Sequence, residues 1–281
     1  MNLTVVAAEL FAAGVLPPGE LVITEFSGGT SSSVFALQCG EHDPLVLKFN
    51  DPKTIAAEAA YLRHYPNIPL LPDLYYADPQ DRYLVYSYIH GTSAYVQGSK
   101  QEMLAGLALG VIAKYHPVPW PQEGRFPSWQ DYLIAEIEDT RKRSGTLFTA
   151  AEHRMIATMA EKKERASDPF CLLHGDFGVH NFIFDDGELV GVIDPIPLVG
   201  QPVYELAFAF CSSPDDLEPD VIASIVRQKD WPYTRNLNAV YEDVLIALYN
   251  RIVTCTVHHP RDLSAYMEAW KEWKLFVNSK S

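Results

Sequence analysis

The stretch His174-Gly175-Asp176-Phe177-Gly178-Val179-His180-Asn181, followed by Ile193-Asp194, is the most informative part of this 281-residue sequence. Short apolar runs lie between these two motifs and predict a β-hairpin that turns at Asp185-Asp186-Gly187. An antiparallel hairpin brings its two ends together, so Asn181 and Asp194 are predicted to lie near each other. Carboxylate and carboxamide oxygens in such a position are the ligands that Mg²⁺ prefers.

Asp176 precedes Asn181 by five residues and is expected to face the same cavity, where it could accept the proton of an attacking hydroxyl group. The spacing matches the catalytic loop of kinases, in which H-x-D is followed by four residues, an Asn and, further on, a metal-binding Asp. A solvated loop whose Asp and Asn cap turns is the alternative. The His174-Gly175 pair in front and the strand-borne Asp194 behind favour the catalytic interpretation.

A Gly- and Ser-rich loop joins two predicted strands near the N-terminus. It covers residues 27–33, and its small side chains would let backbone N–H groups approach phosphate oxygens. The residues that would form this phosphate cover are Gly28, Gly29, Ser31 and Ser32. An ordinary Gly/Ser hairpin is the alternative, because the loop contains neither the P-loop pattern nor G-x-G-x-x-G.

Lys48 lies on the next predicted strand, ten residues before Glu58 on the helix that follows. Apolar residues surround Lys48 in the strand, so an inward-pointing ammonium would need a partner, and Glu58 can supply it. An outward-facing lysine on a two-sided strand is the alternative. The loop, the lysine, the glutamate and the later carboxylates together form a constellation suited to phosphoryl transfer.

The first ninety residues are mainly strand-like, and most of the remaining sequence is helical. Strands are predicted at residues 21–26, 34–39, 45–49, 82–89, 172–173, 182–184 and 189–193. Helices are predicted at residues 53–64, 101–116, 131–143 and 151–165, with further helices after residue 204.

The chain resembles the aminoglycoside phosphotransferase and choline kinase superfamily, which are small-molecule kinases with a protein-kinase-like fold. The resemblance covers roughly residues 20–210 and is strongest in the His174-Gly-Asp, Asn181 and Ile193-Asp-Pro motifs and in Gly200-Gln-Pro-Val-Tyr-Glu205. It implies an α+β, bilobal fold. A small antiparallel β-rich nucleotide-binding lobe would span residues 1–90 and end in the hinge, and a larger, mainly helical lobe with the catalytic loop and acceptor site would span residues 91–281.

The resemblance also implies roles for individual residues. Asp176 would be the catalytic base, and Asn181 and Asp194 would hold Mg²⁺. Lys48 would contact the α- and β-phosphates of ATP, oriented by Glu58. The hinge would bind adenine through the backbones of Ser87 and Ile89, with Tyr86 at the back of the pocket. Glu205 stands where the family usually carries Asp, which lengthens the arm that supports the catalytic loop.

Composition restricts the class of partner. The chain has 22 Lys and Arg against 36 Asp and Glu, a net charge of −14, which argues against nucleic acid. No apolar run approaches the ~18 residues of a membrane span, and no Lys or Arg precedes Lys48, so we expect neither a membrane partner nor a basic targeting segment. Four widely spaced cysteines suit reduced, buried thiols. These features favour a cytoplasmic protein.

The expected function is ATP- and Mg²⁺-dependent phosphorylation of a hydroxyl group on a small molecule. An aminoglycoside or related antibiotic is the first candidate acceptor, which would connect the protein with antibiotic resistance. Choline, ethanolamine or an amino sugar are alternatives. A cationic acceptor would suit the acidic segment at residues 215–220, which a solvated loop explains equally well. A nucleotide-binding pseudokinase without turnover is the alternative from another class, and a protein kinase lacks support because no Ala-Pro-Glu motif follows Asp194.

Overall fold

The computed structural model describes residues 2–26, 32–162 and 168–280. The chain divides into two compact units, each of which takes up two separate segments. The N-terminal unit contains Met1–Ser93 and Phe182–Pro197, and the helical unit contains Ala94–Asn181 and Leu198–Ser281. A β-rich unit and a mainly helical unit confirm the α+β expectation.

The N-terminal unit contains helices α1 and α2 and seven strands within the described residues. The helices are α1 (Leu3–Ala12) and α2 (Pro52–His64). The strands are β1 (Leu21–Glu25), β2 (Ser33–Cys39), β3 (Leu45–Phe49), β4 (Leu74–Ala77), β5 (Tyr83–Ser87), β7 (Phe182–Asp185) and β8 (Glu188–Val192).

The helical unit contains helices α3 to α9 and a short two-stranded sheet. The helices are α3 (Lys100–Gly110), α4 (Trp129–Arg143), α5 (Ala150–Lys162), α6 (Pro202–Cys211), α7 (Pro219–Val226), α8 (Leu237–His258) and α9 (Leu263–Asn278). The strands are β6 (Cys171–Leu173) and β9 (Leu198–Gly200).

Five strands of the N-terminal unit form an antiparallel sheet in the order β1-β2-β3-β5-β4. Side chains alternate between the faces of a strand, so Leu45 and Leu47 of β3 point to one face and Val46 and Lys48 to the other. The first face packs with α1 in a buried cluster that contains Val6, Leu10, Leu16, Leu37, Cys39, Leu47, Tyr83 and Val85. The face that carries Val46 and Lys48 is therefore available to α2 and to the residue that pairs with Lys48.

The hairpin of β7 and β8 belongs to the N-terminal unit although it lies almost a hundred residues further along the chain. Thr92 and Phe184 exchange two backbone hydrogen bonds of 2.9 and 2.7 Å, and the Val192 N–H donates to Leu70 O at 2.7 Å. The division of the chain thus differs from a single boundary at residue 90, because these hydrogen bonds join a later segment to the first unit.

The predicted turn of this hairpin is confirmed. Asp185 pairs with Glu188, so Asp186 and Gly187 form a two-residue turn. Both turn residues have positive φ, 46° and 85°, as a type I′ turn requires.

Helix α8 forms the centre of the helical unit and contacts α4, α5, α6, α7 and α9. The apolar spacing along residues 241–252 predicts a core-facing helix, and the structure confirms it. The buried residues of this stripe include Tyr241, Val244, Leu245, Leu248, Tyr249 and Ile252. All four cysteines are also buried and unpaired, as expected.

Three elements were not predicted from the sequence: α1, β4 and β9. Helix α1 has a mixed apolar sequence, LTVVAAELFA, that lacks clear helical periodicity. Strands β4 and β9 have only four and three residues, too few for an alternating pattern. No helix in the described ranges is long and apolar enough to cross a membrane.

Gly91 permits the close approach of the β7–β8 hairpin, and its replacement is expected to destabilise the protein. Its φ is +134°, and an added Cβ would lie 2.5 Å from Phe184 O and 2.8 Å from Ile183 Cγ2. We expect Gly91→Ala to lower the free energy of unfolding by about 2–4 kcal/mol, measured by urea denaturation.

Gly14→Ala is the matched control, because Gly14 also has positive φ (+70°) but no atom within 4 Å of the added Cβ. It should cost only about 1 kcal/mol. Equal losses in the two variants would contradict the role of close packing at Gly91.

Candidate active site

Lys48 and Glu58 form a buried ion pair in the N-terminal unit, as the sequence predicts. Lys48 Nζ lies 2.6 Å from Glu58 Oε2, and the two residues are only 3% and 1% exposed. The pair forms because Lys48 points to the sheet face opposite Leu47, where α2 presents Glu58. Helix α2 starts at that position because Asp51 caps it and Pro52 occupies its first turn.

Asp194 completes this cluster. Its Oδ1 accepts a hydrogen bond from Lys48 Nζ at 2.9 Å, while 43% of its side chain remains exposed. The backbone of Asp194 has φ +60°, a left-handed conformation that Asp tolerates better than most residues and that occurs often at functional sites. One charged group of the cluster is therefore accessible to a ligand.

Burial and charge act in opposite directions on the ionisation of this cluster. Burial raises the pKa of Glu58 to about 7, against the lowering effect of the Lys48 ammonium. Burial also works to lower the pKa of Lys48, but the two carboxylates outweigh it and raise that pKa above its ordinary value. Lys48 thus stays a cation at neutral pH, which is the form that binds phosphate oxygens.

The predicted hinge residues Ser87 and Ile89 lie at the end of β5 and just beyond it. Ser87 is tied to its own unit, because its N–H donates to Asp73 O and its Oγ accepts from Asp73 N, each at 2.9 Å. For the Ile89 N–H, no acceptor occurs among the residues that the structure describes, so this donor is available to a ligand. The Ile89 side chain covers Gly191, where an added Cβ would lie 2.7 Å from Ile89 Cδ1.

The phosphate-covering loop is described only in part. Ser32 Oγ accepts a hydrogen bond from Asn50 Nδ2 at 2.8 Å, next to the start of β2. Gly28, Gly29 and Ser31 lie outside the described residues. The role predicted for these four residues stays a prediction.

Asp176 and Asn181 are in contact in the helical unit. Asn181 Nδ2 donates to the backbone O of Asp176 at 2.8 Å and to its Oδ2 at 3.0 Å. Both donated bonds use the amide nitrogen, so Asn181 Oδ1 is left as an oxygen ligand.

His180 also contacts Asp176, with 3.1 Å between Nε2 and Oδ2. Burial works to raise the pKa of Asp176, but hydrogen bonds from His180 and Asn181 outweigh it and hold this pKa below its ordinary value. The carboxylate is therefore ionised at neutral pH and able to accept a proton. Sequence reasoning assigned no role to His180, because adjacency to Asn181 does not reveal a side-chain contact four residues back.

Glu205, on the first turn of α6, is fully buried and holds the loop of residues 174–181 in place. Its two oxygens accept hydrogen bonds from His174 N at 3.0 Å and Gly175 N at 2.8 Å. The Tyr115 hydroxyl donates to the same carboxylate at 2.8 Å. The longer arm of Glu thus reaches both N–H groups of the loop, and Gly175 supplies the positive φ of +84° that points its N–H there.

A second set of hydrogen bonds supports the other end of the loop. Val179 N donates to Ser212 Oγ at 3.2 Å, and Arg251 Nη2 donates to Ser212 O at 2.9 Å. Tyr115, Ser212 and Arg251 were not predicted, because partners separated by 30 to 90 residues leave no local pattern. The one available signal was Arg251 itself, which is the only Lys or Arg in the long apolar helix α8.

The acidic segment after α6 is partly a structural element. Asp215 Oδ2 accepts from the Tyr95 hydroxyl at 2.8 Å and from Gly98 N at 3.1 Å. The fully buried Lys100 ammonium binds the backbone oxygens of Phe210 at 3.0 Å and Ser213 at 2.9 Å, and also that of Asp215. The Asp215 carboxylate is therefore already hydrogen-bonded within the helical unit.

Each unit contains a hard oxygen donor. In the part of the chain that the structure describes, no three His, Cys, Asp or Glu side chains are grouped to hold a metal ion on their own. Asn181 Oδ1 in the helical unit and the partly exposed Asp194 carboxylate in the N-terminal unit are each of the kind that Mg²⁺ takes when phosphate oxygens and water complete its shell. Each residue by itself therefore fits the predicted role in holding Mg²⁺, which stays a prediction.

Comparison with protein families shows what the chain is similar to. The model of the phosphotransferase enzyme family matches residues 22–237. Comparison with the sequences of curated proteins gives no match.

Solved structures of small-molecule kinases share the fold at low sequence identity. Macrolide 2′-phosphotransferase MphH from Brachybacterium faecium has a TM-score of 0.61 at 15% identity, over 94% of this chain and 97% of that one. Choline kinase from Cryptosporidium parvum Iowa II has a TM-score of 0.60 at 10% identity, over 99% of this chain and 96% of that one. ADP-bound aminoglycoside phosphotransferase APH(2′′)-Ib has a TM-score of 0.57 at 19% identity, over 95% of this chain and 98% of that one. These likenesses confirm the kinase-like fold.

The ionisation of Glu205 is expected to make stability depend on pH. Burial raises the pKa of Glu205 from 4.5 to about 7, so between these values the folded protein retains a proton that the unfolded chain has lost. The free energy of unfolding is then highest below the unfolded pKa and falls as the pH rises toward 7. The loss is on the order of 3 kcal/mol.

Glu205→Gln cannot ionise and serves as the comparison. Urea denaturation of both proteins at about pH 5 and about pH 8 should show that the stability advantage of the wild type shrinks at the higher pH. Glu58 is present in both proteins, so its contribution cancels. A pH-independent difference would contradict the raised pKa of Glu205.

Proposed function

Since this chain belongs to the phosphotransferase enzyme family and is a small-molecule phosphotransferase, we propose that it transfers the γ-phosphoryl group of ATP to a hydroxyl group of its acceptor. One observation carries the proposal. The ionised Asp176 carboxylate is oriented by Asn181 and His180 in a loop that Glu205 holds rigid. A positioned and ionised carboxylate can accept the proton of the hydroxyl in phosphoryl transfer.

In the N-terminal unit, Lys48 would bind the α- and β-phosphates of ATP. Glu58 holds the Lys48 ammonium inside the unit, where its charge is fixed before the nucleotide arrives. The Ile89 N–H and the Ser87 backbone would bind the adenine edge, with Tyr86 behind them. The loop with Gly28, Gly29, Ser31 and Ser32 would cover the phosphates.

In the helical unit, Asp176 would accept the proton of the acceptor hydroxyl as its oxygen attacks the γ-phosphorus. The bond from the γ-phosphorus to the bridging oxygen then breaks, ADP leaves, and a phosphate monoester forms. Mg²⁺, held by Asn181 and Asp194, would supply neutralisation of the charge on the phosphates. Asn181 would also keep the Asp176 carboxylate directed at the acceptor.

The acceptors to be tested are suggested by the sequence and by the named solved structures that share the fold. An aminoglycoside or related antibiotic is the first candidate, which would make the protein an antibiotic-resistance enzyme of the cytoplasm. Choline, ethanolamine or an amino sugar are the metabolite candidates. The acidic composition of the sequence suggests a cationic acceptor, with neither nucleic acid nor membrane as partner.

A nucleotide-binding pseudokinase is the alternative. The retention of Lys48, Asp176, Asn181 and Asp194 favours the enzyme, because a chain that only binds nucleotide needs no oriented base.

Replacing Asp176 by Asn should abolish phosphoryl transfer while ATP binding persists. The variant keeps the size of the side chain but cannot accept the proton, so turnover should fall by about 10³-fold. The measurement is ADP release with Mg·ATP and a panel of aminoglycosides, macrolides, choline, ethanolamine and amino sugars.

Asp185→Asn, at the exposed end of β7, is the control and should retain wild-type turnover. Near wild-type turnover in Asp176→Asn would refute Asp176 as the base. If no acceptor supports ADP release and Mg·ATP does not raise the melting temperature, the proposed function itself is wrong.

Lys48→Met and Asp194→Ala should both weaken nucleotide binding, but with different dependence on metal. Loss of the Lys48 charge removes a charge-assisted hydrogen bond to phosphate and should raise the Kd for ATP about 10- to 100-fold with or without Mg²⁺. Loss of Asp194 should raise the Kd only when Mg²⁺ is present. Calorimetric titration measures both.

Lys53→Met, at the exposed start of α2, is the control for charge alone. An ATP affinity in Lys48→Met equal to that of Lys53→Met would show that Lys48 does not contact the nucleotide.

A further inference from the structure

A partly enclosed cavity of about 130 Å³ lies within the helical unit, among helices α4, α6 and α8. Its lining includes Glu136, Thr140 and Arg143 of α4, Tyr204 and Phe208 of α6, and Asn250 and Arg251 of α8. An engineered protein cavity of about this size holds one benzene molecule, so a small molecule or a single ring fits.

Arg251 carries a charge that no carboxylate balances. Its Nε donates to the Tyr266 hydroxyl at 3.1 Å and its Nη2 to Ser212 O at 2.9 Å, and its guanidinium lies over the Tyr266 ring. All these partners are neutral, and among the described residues no Asp or Glu oxygen lies within 4.0 Å of Arg251. A half-buried cation without a counter-ion favours the binding of an anion.

The remaining polar groups of the cavity agree with this charge. Asn250 Oδ1 accepts from Thr140 Oγ1 at 2.8 Å, which leaves the Asn250 amide nitrogen as a donor. Arg143 adds a second cation and is paired with Asp139 at 2.9 Å. Among the lining residues that the structure describes, Glu136 is the one carboxylate, so these residues have a net charge of +1 in a chain of net charge −14.

The cavity is connected to the catalytic loop through two residues of the helical unit. Phe208 lines the cavity, and its ring carbon Cε1 lies 3.4 Å from the position that a Cβ on Gly178 would take. Arg251 is bonded to Ser212, which in turn accepts the N–H of Val179. A molecule in the cavity would therefore lie next to the loop that carries Asp176.

We propose that this cavity binds the acceptor of the phosphoryl group and that the acceptor is a small hydroxylated molecule with a carboxylate, which Arg251 recognises. The inference rests on the proposed function and specifies its substrate class. The carboxylate would bind the guanidinium of Arg251 and the amide nitrogen of Asn250, and the hydroxyl would be directed to Asp176.

A polycationic acceptor fits this cavity poorly. Two guanidinium groups would repel it, and only Glu136 would attract it. Asp215, in the acidic segment, is already bonded within the unit and is not part of the lining. The cavity is also too small to enclose more than one ring of an aminoglycoside.

The test compares hydroxy acids with their primary amides, which lack the carboxylate. D-Glycerate, L-serine and L-homoserine are assayed against the corresponding primary amides, with kanamycin and choline as cationic acceptors. Phosphate-ester formation gives kcat/KM, and calorimetric titration gives the Kd independently of turnover. In the wild type, at least one acid should bind or react about 10- to 100-fold better than its amide, and better than either cation.

Arg251→Gln should remove the preference for the acid over the amide, whereas Arg251→Lys should retain part of it. The ratio of kcat/KM for the acid to kcat/KM for the amide distinguishes recognition of the carboxylate from support of the loop. A disordered loop would slow the reaction of both acceptors equally. Arg261→Gln, in an exposed turn beyond α8, is the matched control and should keep the wild-type ratio.

The outcomes distinguish the two claims. Equal binding of acid and amide to the wild type, no binding of any acid, or an unchanged ratio in Arg251→Gln would overturn the carboxylate proposal. Phosphorylation of kanamycin or choline in preference to every acid would overturn it while supporting the proposed function. Binding of an acid that depends on Arg251, without phosphate transfer to that acid, would overturn the claim that the cavity is the acceptor site, while leaving the proposed function to be judged by ADP release and ATP binding.

Discussion

The buried carboxyl group of Glu205 is the constraint on which the loop that carries Asp176 depends. It receives the N–H groups of His174 and Gly175 and the hydroxyl of Tyr115, all inside a unit where an unpaired polar group would be costly. Three donors directed at one carboxyl group fix the backbone before Asp176. Because α6 carries Glu205 on its first turn, the position of that helix sets the position of Asp176.

In the N-terminal unit the buried group is a cation, and hydrogen-bond partners again hold it in place. Lys48 is held by Glu58, and Asp194 contributes a second anion from a late segment of the sequence. Neither charge could be buried alone at acceptable cost, and together they leave one partly exposed carboxylate. Arg251 differs from both, because its partners are neutral and its charge is left for a ligand. The three charged sites thus follow one rule: a buried charge is either balanced within its unit or directed at a substrate.

The sequence predicted what is local in the chain. The β1 to β3 strands follow from short apolar, β-rich runs, the hairpin turn from Asp186-Gly187, and the Lys48–Glu58 pair from a lysine in an apolar strand followed by a helix. It did not predict the contacts of Tyr115 with Glu205 or of Arg251 with Ser212, since each joins segments far apart in the chain. The cavity around Arg251 was not predicted either, because it forms where separate helices pack together and the spacing of residues along the sequence does not reveal it. The predicted phosphate-covering residues Gly28, Gly29 and Ser31 stay predictions.

The central claim is that this chain moves a phosphoryl group from ATP to a hydroxyl and not to water. The most direct measurement uses ATP labelled with ¹⁸O in its γ-phosphoryl group, incubated with the protein and a mixture of hydroxylated small molecules, followed by mass spectrometry. The account predicts a phosphate monoester that carries the label, formed by the wild type and absent with Asp176→Asn. Label found only in inorganic phosphate, at equal rates in both proteins, would contradict it.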